Sequence, residues 1–354
     1  MFVNVRRSRD VGLFAQAECG PANAVTDVPG IQVGYTTLKD HPKGILTGVT
    51  AILPRPREAL TNPINAGTFS LNGNGELTGT HWIEEAGWFV GPIVTTSTYS
   101  LGICHHAAVR WMLKQFPDFL TDGAWYLPVV AETYDGWLND IARQTVTESD
   151  VISALDTAAS GIIAERSVGG GTGMIAYEYK AGTGTASRRI SIGDEVFTLG
   201  VLVQANHGLR PWLRIDGMKL EESGQANRIF STERGSIIVV VATDAPLLPH
   251  QLKRIARRAS IGIGRGGTPS TNNSGDIFLA FSTANDQGSL PENAKNVATY
   301  LSNDLMDHLF LAAVDCIEEA VLNSMLAAEP TEGKLGRKVE ALDPEMVREM
   351  VNRR

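Results

Sequence analysis

Short apolar runs bounded by glycine, proline and small polar residues recur along the chain and read as strands. Three of them are GVTAILP (Gly48–Pro54), GWFVGPIVTT (Gly87–Thr96) and YLPVVAETY (Tyr126–Tyr134). Between the last two, LGICHHAAVRWMLKQF carries Ile103, Ala107, Trp111 and Leu113 at a spacing that predicts an amphipathic helix. ESDVISALDTAAS predicts a second helix, with Ser149 as its N-cap and Gly161 as its stop. Strand patterns follow at MIAYEYKAG, RRISIGDEVFTLGVLVQAN and GSIIVVVATD, the middle one a hairpin turned at Gly193 and Asp194. LLPHQLKRIARRASIG reads as a basic amphipathic helix opened by Pro249. DHLFLAAVDCIEEAVLNSMLAAE predicts a long helix ending near Glu329, and PEMVREMVN a short peripheral one.

Strands that are apolar on both sides imply sheets covered on both faces. Consecutive strands joined by short turns point to antiparallel pairs and away from a doubly wound parallel sheet. The expected fold class is therefore α/β (α+β), with two stacked sheets between helix layers, an αββα sandwich. No repeat or linker divides the chain, so one domain over residues 1–354 is expected.

One segment departs from this regularity. RGGTPSTNNSGDIFLAFSTAN (Arg265–Asn285) sets a loose run of small and polar residues directly before a strong strand pattern. The residues alone leave two readings. The first is a polar β-turn entering a strand, since Asn, Ser and Gly are ordinary turn formers. The second is a peptide bond built to break: if Ser274 attacks the carbonyl of Asn273, the chain is cut and Ser274 becomes a new N-terminus. Its α-amine, with an unperturbed pKa of about 8, then acts as base for its own hydroxyl. That chemistry asks for a loose loop, a small residue after the nucleophile and a rigid strand to aim it. TPSTNN, Gly275 and DIFLAF supply them in order.

Composition narrows the alternatives. Hydrophobic residues make up 43% and charged residues 20%, the proportions of a globular chain. A net charge of −8 disfavours a nucleic-acid partner, which needs a basic face. Cys19, Cys104 and Cys316 are far apart and form no CxxC, against a disulfide framework or a thiolate metal site. The bases of MFVNVRRSRDVGLF are followed by no apolar run, and no stretch has the length to span a bilayer. A cytoplasmic protein without a membrane partner is the expectation. GxSxG and GxxxxGK[ST] are absent, which removes the nucleophile elbow and the P-loop. VGGGTGM follows a polar segment and lacks the dinucleotide spacing, and His81, His105 and His106 form neither HExxH nor HxxEH. Neither a metal nor an organic cofactor is expected.

NNSGDIFLAFSTAN, taken with ETYDGWLND, GTGMIAYEYKAGTGTASR, VLVQANHG and CIEEAVLNSM, resembles the family of the L-aminopeptidase D-Ala-esterase/amidase and the β-peptidyl aminopeptidases. The matches begin at DVPGIQVGYTT and reach the long C-terminal helix. The resemblance implies self-cleavage before Ser274 into 1–273 and 274–354, and an αββα fold like that of N-terminal-nucleophile hydrolases with different connectivity. It also implies a homo-oligomer of paired fragments acting on short peptides and amino-acid amides or esters. Ser274 matches the family nucleophile, and Asn273 the residue whose carbonyl is attacked. Asn206 matches an oxyanion-stabilising asparagine; the loss of one such donor commonly costs ~3 kcal/mol. Tyr134 matches a tyrosine near the nucleophile, and Glu132 the acid that holds the substrate's free amine.

Where the family has a serine two residues before a glutamate, this chain has Cys316 and Glu318. A thiol is a poorer hydrogen-bonding group than a hydroxyl, and residues two apart do not face each other on a regular helix. Either the helix starts late or distorts there, or Glu319 is the relevant acid; the resemblance implies a role in supporting the nucleophile, and Glu318, with Cys316, is the pair expected to fill it. The expected function is a self-processing serine aminopeptidase with amidase and esterase capability. Two alternatives stand beside it. One is an acyltransferase like the ornithine acetyltransferases, whose nucleophile is threonine; the other is a binding homologue that never cuts itself.

Overall fold

Two β-sheets lie face to face, and each has its outer face covered by helices. The computed structural model describes residues 7–119, 124–220, 228–286 and 297–353. The first sheet has four strands in the order β1 (Gln32–Asp40), β2 (Ile45–Leu53), β5 (Ile93–Ser97), β6 (Val129–Thr133). The second has six, ordered β4 (Trp88–Phe89), β3 (Ile64–Gly73), β14 (Gly275–Ser282), β13 (Ser236–Thr243), β10 (Glu195–Asn206), β9 (Thr183–Ile192). Two-stranded ribbons are formed by β7 (Ile175–Ala176) with β8 (Tyr179–Lys180), β11 (Arg214–Ile215) with β12 (Met218–Lys219), and β15 (Thr331–Glu332) with β16 (Lys338–Val339). The helices are α1 (Thr80–Ala86), α2 (Leu101–Gln115), α3 (Glu148–Asp156), α4 (Pro249–Arg265), α5 (Met306–Leu326) and α6 (Pro344–Asn352).

Three apolar layers hold this arrangement. Ile52, Ile93 and Ala131 of the first sheet meet Leu202, Ile238, Val240, Leu279 and Phe281 of the second. Ala107, Trp111 and Leu155, from α2 and α3, cover the outer face of the first sheet. From α4 and α5, Leu252, Ile255, Leu309 and Ile317 cover that of the second. The result is the αββα sandwich expected. Along β14, Ile277, Leu279 and Phe281 point between the sheets, while Phe278 and Ala280 point to the helices. A strand covered on both faces reads as a continuous apolar run, which is why DIFLAF stands out in the sequence.

Pairing is antiparallel except for β5 with β6 and β13 with β14. In each exception a helix, α2 or α4, lies between the two strands in sequence. A parallel pair requires such a crossover, and short turns cannot make one. The second of these units ends at the quoted loop, so Ser274 stands at the entry of a central strand.

Several boundaries differ from the sequence pattern. The cap of α3 is Thr147, joined to Asp150 in a capping box, and not Ser149; the helix ends at Asp156, short of Gly161. MIAYEYKAG is not one strand but a tight ribbon, turned where Tyr177 and Glu178 take φ of 50° and 61°. The long helix stops at Leu326, three residues before Glu329. The hairpin turn at Gly193 is as expected, with φ of 61°. No helix among the described residues is long and apolar enough to cross a membrane.

Candidate active site

The loop after α4 closes on a turn in which the Ser274 amide donates to the Thr271 carbonyl at 2.9 Å. Ser274 is fully buried, and its Oγ donates to Asp276 Oδ1 at 2.7 Å. The other oxygen of Asp276 accepts from Ser270 Oγ. Ser270 holds a φ of 56°, a conformation that non-glycine residues adopt at a cost. Asn72 and Asn74, at the end of β3, fasten the loop from the far side. Asn72 Nδ2 donates to the Thr271 carbonyl, and Asn74 Nδ2 donates to the Asn273 carbonyl at 2.8 Å. A Cβ at position 275 would stand 2.3 Å from the Asn74 carbonyl oxygen, so Gly275 is what lets β14 approach β3 here.

Register decides what else is near. Gly275 lies opposite Gly73 on β3 and Ser236 on β13, and Ser236 lies opposite Asn206 on β10. Gly275 N donates to Ser236 Oγ at 3.2 Å. Two strand spacings separate Asn206 from Gly275, or about 10 Å of backbone. The Oδ1 of Asn206 accepts from Ile175 N and its Nδ2 donates to the Tyr134 carbonyl, both at 2.9 Å. Those two bonds fix which end of the amide is nitrogen, and they engage only one of its two hydrogens. Asn206, Tyr134 and His207 line a cavity of about 380 Å³, with the ring pair Trp137 and Phe230 and with Arg234 also in its lining. Ser274 does not line this cavity, although Gly235, next to Ser236, does.

Glu132, near the end of β6, is buried, with Oε1 accepting from Glu76 N at 3.0 Å and Oε2 from Thr98 Oγ1. Burial pushes its carboxyl above the usual carboxylate range; the bonds from Thr98 and Glu76 pull the other way. A Cβ on Gly75 would lie 3.3 Å from Glu132 Oε1 and 3.4 Å from Gly275 Cα. Glycine at 75 thus allows the carboxylate and the backbone beside Ser274 to approach more closely than a side chain there would. Tyr134, two residues further on, is exposed and lines the cavity.

Cys316 and Glu318 are not brought to this group. Helix α5 is regular over both, and residues two apart on a helix diverge. Cys316 Sγ faces the Leu199 carbonyl at 3.9 Å, seven residues along β10 from Asn206, or roughly 23 Å of strand. Burial pushes its thiol pKa upward. Glu318 Oε2 pairs with Arg265 Nη1 at 3.2 Å. Glu319 turns a third way, to Arg9 Nε at 2.8 Å and Arg188 Nη1 at 2.6 Å.

Four residues near the nucleophile escaped the sequence reading: Asn74, His207, Glu233 and Asp276. Asp276 had a signal, because it stands two positions after Ser274 and a strand repeats its facing every second residue. Glu233 holds the loop through Thr271 Oγ1 at 2.7 Å. His207 is buried against Tyr177, and neither ring nitrogen has a hydrogen-bond partner among the described residues. Burial lowers its pKa, against the pull of Asp276 and Glu233, so the ring is neutral at pH 7.

Comparison with known proteins places the chain in a family. The L-aminopeptidase D-Ala-esterase/amidase of Ochrobactrum anthropi is described as a prototype for the serine aminopeptidases and a variant of the Ntn hydrolase fold. It superposes with a TM-score of 0.94 at 49% identity, covering 98% of each chain. A Burkholderia sp. β-aminopeptidase superposes with a TM-score of 0.88 at 41% identity, covering 98% of this chain and 99% of that one. Beta-peptidyl aminopeptidase BapA of Sphingosinicella microcystinivorans is 45% identical over 95% of this chain and 89% of its own length. Peptidase family S58 matches residues 23–339, a span that includes Glu132, Asn206 and the Asn273–Ser274 junction. This chain belongs to peptidase family S58.

Proposed function

We propose that this chain is a self-processing serine aminopeptidase whose nucleophile is Ser274. It splits between Asn273 and Ser274 into fragments 1–273 and 274–354 of one αββα unit, and the fragments stay paired within a homo-oligomer. The observation that carries the reading is the placement of Ser274. It heads a central strand, with a carboxylate on its hydroxyl and a side-chain amide on the carbonyl before it. Since the intact chain buries Ser274 away from the cavity, turnover depends on the split.

In turnover the substrate's ammonium pairs with Glu132, which explains a preference for free N-termini. Ser274 Oγ attacks the first amide or ester carbonyl as the α-amine of the same residue takes its proton. The unengaged hydrogen of Asn206 Nδ2 and the hydroxyl of Tyr134 receive the developing oxyanion. The leaving amine or alcohol departs with that proton, and water releases the product acid from the ester on Ser274. The names of the relatives, β-peptidyl and L-amino-acid peptidases at 41–49% identity, support short peptides, amino-acid amides and esters as substrates, β-amino acids included.

Intact mass spectrometry of the purified protein tests the reading. Two fragments are expected in place of one 38.1 kDa chain, while Ser274→Ala stays whole and hydrolyses amino-acid amides only at background rate. Full activity in an uncut chain, or in Ser274→Ala, overturns it.

A further inference from the structure

The split poses a chemical problem that turnover does not. Before it occurs, the nitrogen of Ser274 is an amide whose lone pair is delocalised into the Asn273 carbonyl, so it cannot act as a base. It is moreover donating its hydrogen to Thr271 O. Asn206 is not placed for the task either. Its neighbour two residues back, Gln204, bonds Thr95 and Thr133 of the first sheet, so this side of β10 faces between the sheets. Asp276, by contrast, shares the face of Phe278 and Ala280, which pack under the helices. The hydroxyl of Ser274 in the intact chain is therefore turned toward a different set of groups from those that line the cavity.

We propose that scission has its own machinery, with Asp276 as general base and Asn74 as oxyanion donor. The proposal rests on the self-processing reading above and adds the groups that start it. Asp276 Oδ1 already accepts from Ser274 Oγ at 2.7 Å, and Ser270 on its other oxygen orients the carboxylate. Asn74 Nδ2 already lies 2.8 Å from the oxygen of the bond to be cut. Both partners are thus in place before any bond moves, the arrangement that electrostatic preorganisation requires.

Asp276 takes the hydroxyl proton as Oγ bonds to the Asn273 carbonyl carbon, closing a five-membered ring, and Asn74 holds the oxygen as it gains charge. Collapse breaks the carbon–nitrogen bond, and the proton passes from Asp276 to the departing nitrogen of Ser274, now an amine. One water then hydrolyses the ester between Asn273 and Ser274 Oγ, giving a carboxylic acid on Asn273 and restoring the hydroxyl. Only after this does the α-amine exist to serve turnover.

Full-length protein made by cell-free translation, sampled over time by intact mass, decides the matter. A positioned base contributes roughly 10²–10⁴-fold and one oxyanion donor roughly 10²–10³-fold. Asp276→Asn and Asn74→Ala should each slow the split by at least about a hundredfold, while melting close to uncut Ser274→Ala shows that the fold survives. Splitting of both variants at the wild-type rate overturns the proposal and leaves self-processing standing. A wild-type chain that never splits removes both. Should Asp276→Asn not fold, Asn74→Ala decides alone, because its exposed side chain touches only the loop: slow splitting supports the proposal and a wild-type rate overturns it.

Discussion

At the scale of single residues, the candidate site depends on buried polar groups, Glu132, Asn206, Ser274 and Asp276 among them. Glu132 shows the consequence. It must be ionised to pair with an ammonium, yet burial raises its pKa. Substrate binding is therefore expected to weaken as pH falls through a value above the ordinary carboxylate range, and an acid limb in kcat/KM should report it. Glu132→Gln should remove that limb and raise KM for free-amine substrates by roughly thirtyfold, the equivalent of about 2 kcal/mol for a charge-assisted bond. An unchanged acid limb in the variant would assign the limb to another group. The loop, glycine and strand marked the segment around Ser274 but left a β-turn and a scissile bond both open; the family resemblance chose between them, and to that extent the segment was readable in the chain. Cys316 and Glu318 were not, because their partners are set by which way a helix is rolled against its sheet.

At the scale of elements, apolar periodicity identified α2, α4, α5, β13 and β14 because each buries a continuous face or both faces. Strand β3 carries no such signal. Its INAGTFSLNG mixes glycine and asparagine, yet it pairs with β14 along most of its length. Small residues serve packing there: a Cβ on Gly67 would meet the α4 backbone at Lys253 N, 2.3 Å away. The same logic yields a test on β9, where a Cβ on Gly184 would stand 2.0 Å from the Ala320 carbonyl of α5. Gly184→Ala must push the helix from the sheet and is expected to cost about 1–3 kcal/mol, the range for overpacking. Urea unfolding measures it, and a midpoint equal to wild type would show that α5 seats itself without this contact.

Across the whole molecule, the parts on either side of residue 274 are interleaved. Strand β14 inserts between β3 and β13, and α5 covers β9 and β10, so a cut before Ser274 would leave each piece held by the other. A buried polar knot reinforces this. Glu319 takes Arg9, Arg188 and Asn23 Nδ2, the last at 2.7 Å, joining the N-terminal segment and β9 to α5. Arg188 and Glu319 are both buried, and removing one charge leaves the other without its partner. Glu319→Gln is expected to destabilise the protein by about 3–5 kcal/mol. Chemical denaturation provides the measurement, and a loss below about 1 kcal/mol would mean that the knot contributes little beyond packing.

Periodicity within short windows was enough to determine the helix layers, the hairpin at Gly193 and the strand that aims Ser274, because burial of a face is written into the order of adjacent residues. What surrounds Ser274 was decided by the tertiary structure alone. Asn74 reaches the Asn273 carbonyl across 199 positions of sequence, and Asn206 comes within two strand spacings of Gly275 through the register of three neighbouring strands. Contacts of that kind depend on strand order and sheet stacking, which are properties of the folded chain as a whole and of no segment within it.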